Sequence, residues 1–321
     1  MSAATGHTSN ERLFIHSRRP TWGVGLLVND QDKRRSLQFQ DGRTRTFAVG
    51  FYHLLEPWTG TTPARTAEVA RNLETAHAQI EAHLSQSDSN DNDISFRDQI
   101  RLFRSRFPDG FGGQAWLDAC RRPVESRKAK RHVDIAVEVA AEALAEPAMR
   151  ALLDAKDWSG MLGALASVLK KTSIASPSKD VKPLEEIPEA STETVARALF
   201  DLLHGDGEYR DRVSAWVVTL GRAEVPARWE LAALPGALLR PAEHPLVLAG
   251  TLSLQARILR TADAILMPSV AAWDSAMATL DSCRERLAQE GEAPADLLDI
   301  SLFARETLRA SSLTAIRSGE F

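Results

Sequence analysis

Cysteine is nearly absent from this sequence: of 321 residues, only Cys120 and Cys283 carry a thiol, far apart and in no recognisable spacing. That excludes a disulfide framework and a cysteine-based zinc site, and it agrees with a reducing compartment. Long hydrophobic runs are missing too. The longest, residues 247–252 and 264–267, fall well short of the roughly 20 residues that a membrane span needs. The polar N-terminal stretch has no apolar core of a secretory signal, so a cytoplasmic protein with no membrane partner is expected.

Catalytic signatures are equally scarce. There is no Walker A sequence and no Gly-x-Ser-x-Gly elbow. The histidines do not cluster. His77 and His83 lie six apart, His204 sits in a glycine turn, and His244 lies near prolines, so surface or capping roles are expected and no metal site is. Glu185 and Glu186 fall in a proline-rich stretch and read as solvated. Asp296 and Asp299 fit the start of a helix, where the dipole favours carboxylates. No cofactor is expected. A divergent metal-dependent nuclease, built from acids on separate helices, stands as a third-ranked alternative because one sequence cannot show convergence.

The net charge of -4 argues against a uniformly basic nucleic-acid binder, yet the charge is uneven. Residues 11–58 hold eight Lys/Arg against five Asp/Glu, and residues 97–132 hold ten against four. Such asymmetry marks either a face for an anionic partner or a solvated helix surface.

The chain reads as α+β: a small SH3/Tudor-like β-barrel followed by a predominantly α-helical body. Residues 1–10 form a disordered leader. Residues 11–58 carry strand chemistry in short runs, with Leu37 and Phe39 alternating onto one face and Asp41-Gly42 as a hairpin signal. A return strand over 43–47 and a closing strand over 51–55 complete the set. So few apolar residues in four or five short strands suit a small, strongly bent barrel. Residues 59–93 give a helix, opened by Thr62-Pro63 and striped by Val69, Leu73, Ala76, Ile80 and Leu84, then a polar linker. A helical subdomain with a basic face follows over 94–172, opened by a capping-box pair, Ser95 and Asp98. Residues 173–192 read as a proline-rich linker, and 193–321 as a C-terminal helical subdomain. No internal repeat supports a solenoid.

Trp22-Gly23-Val24-Gly25 is the most informative motif. Glycines flanking a valine let the backbone bend sharply or pass close to a neighbour. The pattern is no dinucleotide fingerprint, since the third glycine, the helix and the downstream acid are lacking. On burial tendency alone, Trp22 belongs to a core. With His16, Pro20, residues 36–39, Asp41-Gly42 and Phe47, the motif resembles the small domain at the C-terminal tail of UvrD-type helicases and, more distantly, CarD-type regulators. The resemblance covers about 45 residues and implies a barrel that docks onto RNA polymerase, a helicase or another protein near DNA, or a defence complex. It makes Trp22, Arg43, Arg45 and Tyr52 the candidate contact residues. No helicase motif accompanies it. The remainder resembles a group of bacterial helical proteins of uncharacterised role, through residues such as 296–303, and this brings no activity.

The stretch 97–131 interleaves basic residues with Phe96, Phe103, Phe107, Phe111 and Trp116. Arginine with aromatics suits phosphate contact and base stacking. It equally suits an amphipathic helix with a phenylalanine core face. Arg97, Arg101, Arg104, Arg127, Lys128, Lys130 and Arg131 are the candidate nucleic-acid contacts. The leading expectation is a non-enzymatic adaptor, and the second is a nucleic-acid-binding protein.

Overall fold

The computed structural model describes residues 12–19, 22–31, 33–40, 44–59, 62–86, 94–122, 133–261, 265 and 268–320. The leader, Arg43, the Asp41-Gly42 hairpin, the polar linker after residue 86 and the basic run with Arg127, Lys128, Lys130 and Arg131 lie outside the described residues.

Five short strands form one antiparallel sheet: β1 (Leu13–His16), β2 (Val24–Gln31), β3 (Arg34–Phe39), β4 (Thr44–Ala48) and β5 (Leu55–Pro57). The order is β4-β3-β2-β1-β5. β4 and β5 stand at opposite edges and no pairing joins them among the described residues, so the sheet is an open one. The expected closing strand over 51–55 is instead a 3-10 turn, Val49–Leu54, that delivers the chain to β5. β2 and β3 pair from Gly25↔Phe39 to Gln31↔Arg34, with an irregularity between Leu27 and Asn29. Such a bulge tightens the local twist.

The period-two alternation splits the apolar residues between two thin cores. Leu13, Val24 and Leu26 pack on one face against Val69, Ala70 and Leu73 of α1 (Pro63–Gln86). Leu37, Phe39 and Leu55 pack on the other, with Phe14, Trp22, Leu27 and Phe47 around them. Val69 and Leu73 of the α1 stripe thus have their partners in the sheet. Both motif glycines are required. Gly23 adopts φ +73°, which side chains other than glycine rarely take. A Cβ on Gly25 would lie 2.8 Å from the Phe39 ring.

The rest is helical. α2 (Phe96–Arg106) starts with the expected capping box, the Ser95 hydroxyl accepting from Asp98 N–H and Asp98 accepting from Ser95 N–H. A five-residue π turn (Leu117–Arg121) follows α3 (Gln114–Trp116). Then come α4 (Asp134–Ala143), α5 (Glu146–Asp154), α6 (Trp158–Leu169), α7 (Lys182–Glu185), α8 (Glu189–His204) and α9 (Tyr209–Arg222). The chain ends with α10 (Trp229–Ala232), α11 (Leu234–Leu239), α12 (Ala249–Leu259), α13 (Val270–Gln289), α14 (Leu297–Leu308) and α15 (Ala310–Ser318). One contiguous core runs from Phe96 to Phe303.

That core revises the division into two helical subdomains. The stretch 173–192 is no linker. Pro177 and Pro183 sit in the first turns of short helical segments, and Asp180, Val181 and Leu184 are buried. Proline at a helix start costs no hydrogen bond, so the same residue that suggests a break opens a turn here.

A cleft between the sheet and the helical body

Trp22 leaves Gly23 at the corner before β2. Its ring meets His16 edge-on at 4.6 Å and Phe39 at 5.4 Å. The Arg45 guanidinium lies 3.9 Å above the Trp22 ring, a cation–π stack. Arg45 reaches this place because its β4 position pairs with Leu37, whose side of the sheet holds the aromatics. Burial pulls the His16 imidazole below its usual range, and the Arg19, Arg45 and Arg18 charges add to the shift, so it is held neutral.

These residues face the protein's own body. Trp22 and Arg45 line a cavity of about 210 Å³ with Ser214 and Val217 of α9 and the opening residues of α13. A second cavity, about 470 Å³, lies between α1 and the body, walled by Val69, Leu73, Trp229 and Ala249. Gln40 and Pro268 line both.

Gln40 follows β3 and is only 8% exposed. Its Oε1 accepts the Val24 N–H at 2.8 Å. Gly221 lets α9 approach, since a Cβ there would stand 3.0 Å from Gln40 Oε1. At the head of α13, the Ser269 hydroxyl caps the Ala272 N–H at 3.1 Å. The N–H groups of Val270 and Ala271 belong to the first turn, where no intrahelical acceptor exists. Trp229, 3% exposed, has an indole N–H with no partner among the described residues. Beside it, Arg228 pairs with Asp180 at 2.7 Å and Glu230 at 2.9 Å. Burial dominates at Asp180 and pushes its carboxyl up.

Of the four expected docking residues, the cleft brings Trp22 and Arg45 together. Tyr52 is separate: it lies in the 3-10 turn under Arg35, whose guanidinium is 4.5 Å from the ring, and its hydroxyl is buried without a partner among the described residues. Gln40, Ser269 and Trp229 line the cavities without being among the expected site residues. Only Ser269 carries a readable signal, a capping serine ahead of an apolar helical run.

The basic and aromatic stretch divides as an amphipathic helix does. Phe103, Phe107, Phe111 and Trp116 pack together and onto Phe303, with Phe103 and Trp116 fully buried. They are unavailable for base stacking. Arg97 is exposed, and Arg101 stands 3.8 Å from Asp98. Arg104 reaches the end of α13, pairing with Glu292 at 2.9 Å and bonding the Glu290 carbonyl. Arg104 is therefore spent on joining two helices.

Asp296 and Asp299 do open a helix, α14, where Asp296 caps the Asp299 N–H at 2.9 Å. Both turn to Arg121, which Asp296 holds through two oxygens at 2.8 and 3.0 Å, while Asp134 pairs with it at 2.8 Å. Asp299 also accepts from the Trp116 indole at 3.0 Å and from Ala295 N–H at 2.9 Å. Burial nevertheless raises its carboxyl above the ordinary range. Among the described residues, no three His, Cys, Asp or Glu side chains gather where a metal ion could sit. No helix among them is long and apolar enough to cross a membrane. His244 departs from the surface role expected of it: it is 7% exposed and stacks on Tyr209 at 3.6 Å, and burial lowers its pKa to about 4.

No protein-family model, curated protein sequence or solved structure matches the chain.

Proposed function

We propose that the protein is an adaptor or regulatory subunit whose N-terminal sheet unit docks onto a protein partner in bacterial transcription, DNA-repair or phage-defence machinery. One observation carries the reading. Val49 and Phe51, 60% and 56% exposed, are the exposed large hydrophobic side chains among the described residues, and both sit in the 3-10 turn. That turn directly continues β4, an edge strand whose outer side is unpaired among the described residues. An unpaired edge beside an apolar anchor suits the addition of an extended segment as a further strand. Lys33 and Arg34 are exposed next to it, with Arg34 opposite Ala48 and the Val49 N–H bonded to Lys33 carbonyl oxygen. The occupant is therefore an extended acidic segment carrying an apolar residue. The strand order, with a 3-10 turn leading into β5, supports the SH3- or Tudor-type reading, and the resemblance to helicase tail domains supplies the setting. The docking face shifts from Trp22 to Val49 and Phe51.

Fluorescence polarisation with labelled acidic peptides bearing one central aromatic tests this on the full chain. The pair Val49→Ser, Phe51→Ser is expected to weaken binding by about tenfold or more. Equal binding by the double variant, or by a basic peptide, would sink the reading.

A further inference from the structure

We propose that the docked segment is a strand antiparallel to β4, held by the backbone of Thr46 and the N–H of Ala48, with its aromatic residue at its N-terminal end. The inference rests on the docking surface at Val49 and Phe51, and adds the register and direction that the sheet imposes on whatever binds there.

Hydrogen-bond parity decides which backbone groups of β4 face outward. In an antiparallel pair, residues directly opposite alternate between pairs that exchange both bonds and pairs that exchange none. The Val49 N–H donates to the Lys33 carbonyl at 3.1 Å, in line with the β3–β4 register, so that pair is a bonded one. Two and four residues back along β4, Arg35↔Phe47 and Leu37↔Arg45 are then bonded pairs as well. The other side of β3 agrees. The Gln40 N–H donates to the Val24 carbonyl at 3.0 Å, which turns Gln40 and Gln38 toward β2 and leaves Phe39 and Leu37 turned toward β4. Arg45 and Phe47 therefore spend their backbone groups on β3, and those of Thr46 and the N–H of Ala48 point away from the sheet. Both residues are exposed, and β4 has no neighbour on that side among the described residues.

A strand antiparallel to β4 exchanges two bonds with Thr46, in keeping with a sheet whose described pairings are all antiparallel. β4 runs toward Val49 and Phe51, so the opposing chain meets those side chains with its N-terminal end. Lys33 and Arg34 are exposed at the same end, Arg34 lying opposite Ala48, and they draw the acidic residues there. Side chains alternate across the added strand. The residue opposite Thr46 shares the face on which the Ser36 and Thr46 hydroxyls bond at 2.8 Å. Its two neighbours lie on the face of Phe47, which borders the aromatic core and is itself half-buried. The fitting occupant is a short acidic strand that begins with an aromatic residue.

Fluorescence polarisation on the full chain tests this with two labelled acidic peptides of one composition, a single phenylalanine standing first in one and last in the other. The first is expected to bind about tenfold more tightly, since it alone reaches Val49 and Phe51 while pairing with Thr46. Thr46→Pro removes a donor that points away from β3, so the ladder keeps its bonds. It is expected to weaken binding by about tenfold, and thermal melting confirms that the variant is folded. Peptides N-methylated at one residue at a time repeat the test on the unaltered protein, and the loss should recur at every second position. In amide exchange followed by NMR, the peptide should slow Thr46 and Ala48, whereas Arg45 and Phe47 are slow without it. Equal affinity of the two peptides, or Thr46→Pro binding as the parent does with N-methylation losses showing no alternation, overturns the added strand. If Val49→Ser, Phe51→Ser still weakens binding in that case, the docking surface itself stands. Absence of binding by both peptides sinks the surface and the strand together. Protection of Thr46 and Ala48 that grows with protein concentration in the absence of peptide would make a second copy of this chain the occupant, and also overturns the proposal.

Discussion

Tryptophan and arginine come together in both regions of the molecule, with opposite arrangements. In the helical body the Trp116 indole and the Arg121 guanidinium converge on Asp299, while Asp296 and Asp134 hold Arg121 from other sides. Burial alone would pull Arg121 down, but the three carboxylates outweigh it and leave the guanidinium raised. In the sheet unit Arg45 lies flat on Trp22 beside open volume. The first arrangement ties α3 and its π turn to α4 and α14, with a structural purpose. The second sets a cation–π stack in the wall of a cavity. Identical residue types therefore do not predict a role; the burial and partners around them do.

Removing the arginine from each arrangement gives the sharpest contrast. Arg121→Ala strands Asp296, Asp299 and Asp134 in a dry site, and a loss of about 3–5 kcal/mol is expected. Arg45→Ala forfeits a partly solvated cation–π contact, worth about 0.5–1 kcal/mol. Urea denaturation of the two variants reads both values. Equal losses would dissolve the distinction between an arginine buried among carboxylates and one stacked at a cavity wall.

The largest acid sensitivity should also belong to the body. His244 has a folded pKa of about 4, below the usual 6.5. The unfolded chain therefore binds the extra proton between these values. The stability held by neutral His244 is complete above pH 6.5 and is lost as pH falls toward 4, by up to about 3 kcal/mol. His16 and His204 shift in the same direction, so they contribute slope of the same sign. His244→Phe, which keeps a ring against Tyr209, should flatten the fall in denaturation midpoint between pH 7 and 4. An unchanged slope would remove His244 as the cause.

In the sheet unit the weak point is packing. Gly25→Ala drives a methyl into the Phe39 ring, at an expected cost of about 1–3 kcal/mol. Phe39→Leu in the same chain should recover part of it, because a shorter side chain vacates the contact. No recovery in the double variant would locate the strain in the backbone instead.

Where a signal is local, the sequence was readable. The Ser95–Asp98 capping box, the Leu37/Phe39 alternation and the Asp296 cap each need only a few neighbouring residues, and each stands in the structure. The turn at Val49–Leu54 was harder, because its aromatic and aliphatic residues also suit a strand. Residues 173–192 read as a linker because what holds them is tertiary. Asp180 is tolerable in the core because the Ser176 N–H bonds it locally and Arg228, distant in sequence, meets it there. The cleft was illegible altogether. Its walls come from β4, the residue after β3, α1, α9, α10, α12 and α13, and no spacing along the chain announces that they meet.

The two tyrosines give the smallest and most exact comparison, one in each region. Both hydroxyls are buried without a partner among the described residues. Tyr209 is stacked on His244, and a Cβ on Gly236 would collide with its hydroxyl, so the site is tightly filled. Burial raises its pKa, as a dry phenol requires. Tyr209→Phe removes a desolvated group and keeps the stack, so stability should hold or rise by up to about 1 kcal/mol. Tyr52 is only half-buried beneath Arg35, where water can reach much of the ring edge. Tyr52→Phe should therefore change stability by less than about 0.5 kcal/mol. Differential scanning calorimetry on both variants reads the ordering. A clear loss from Tyr209→Phe would mean that an ordered water serves the hydroxyl, and the body would then be wetter at that point than its packing indicates.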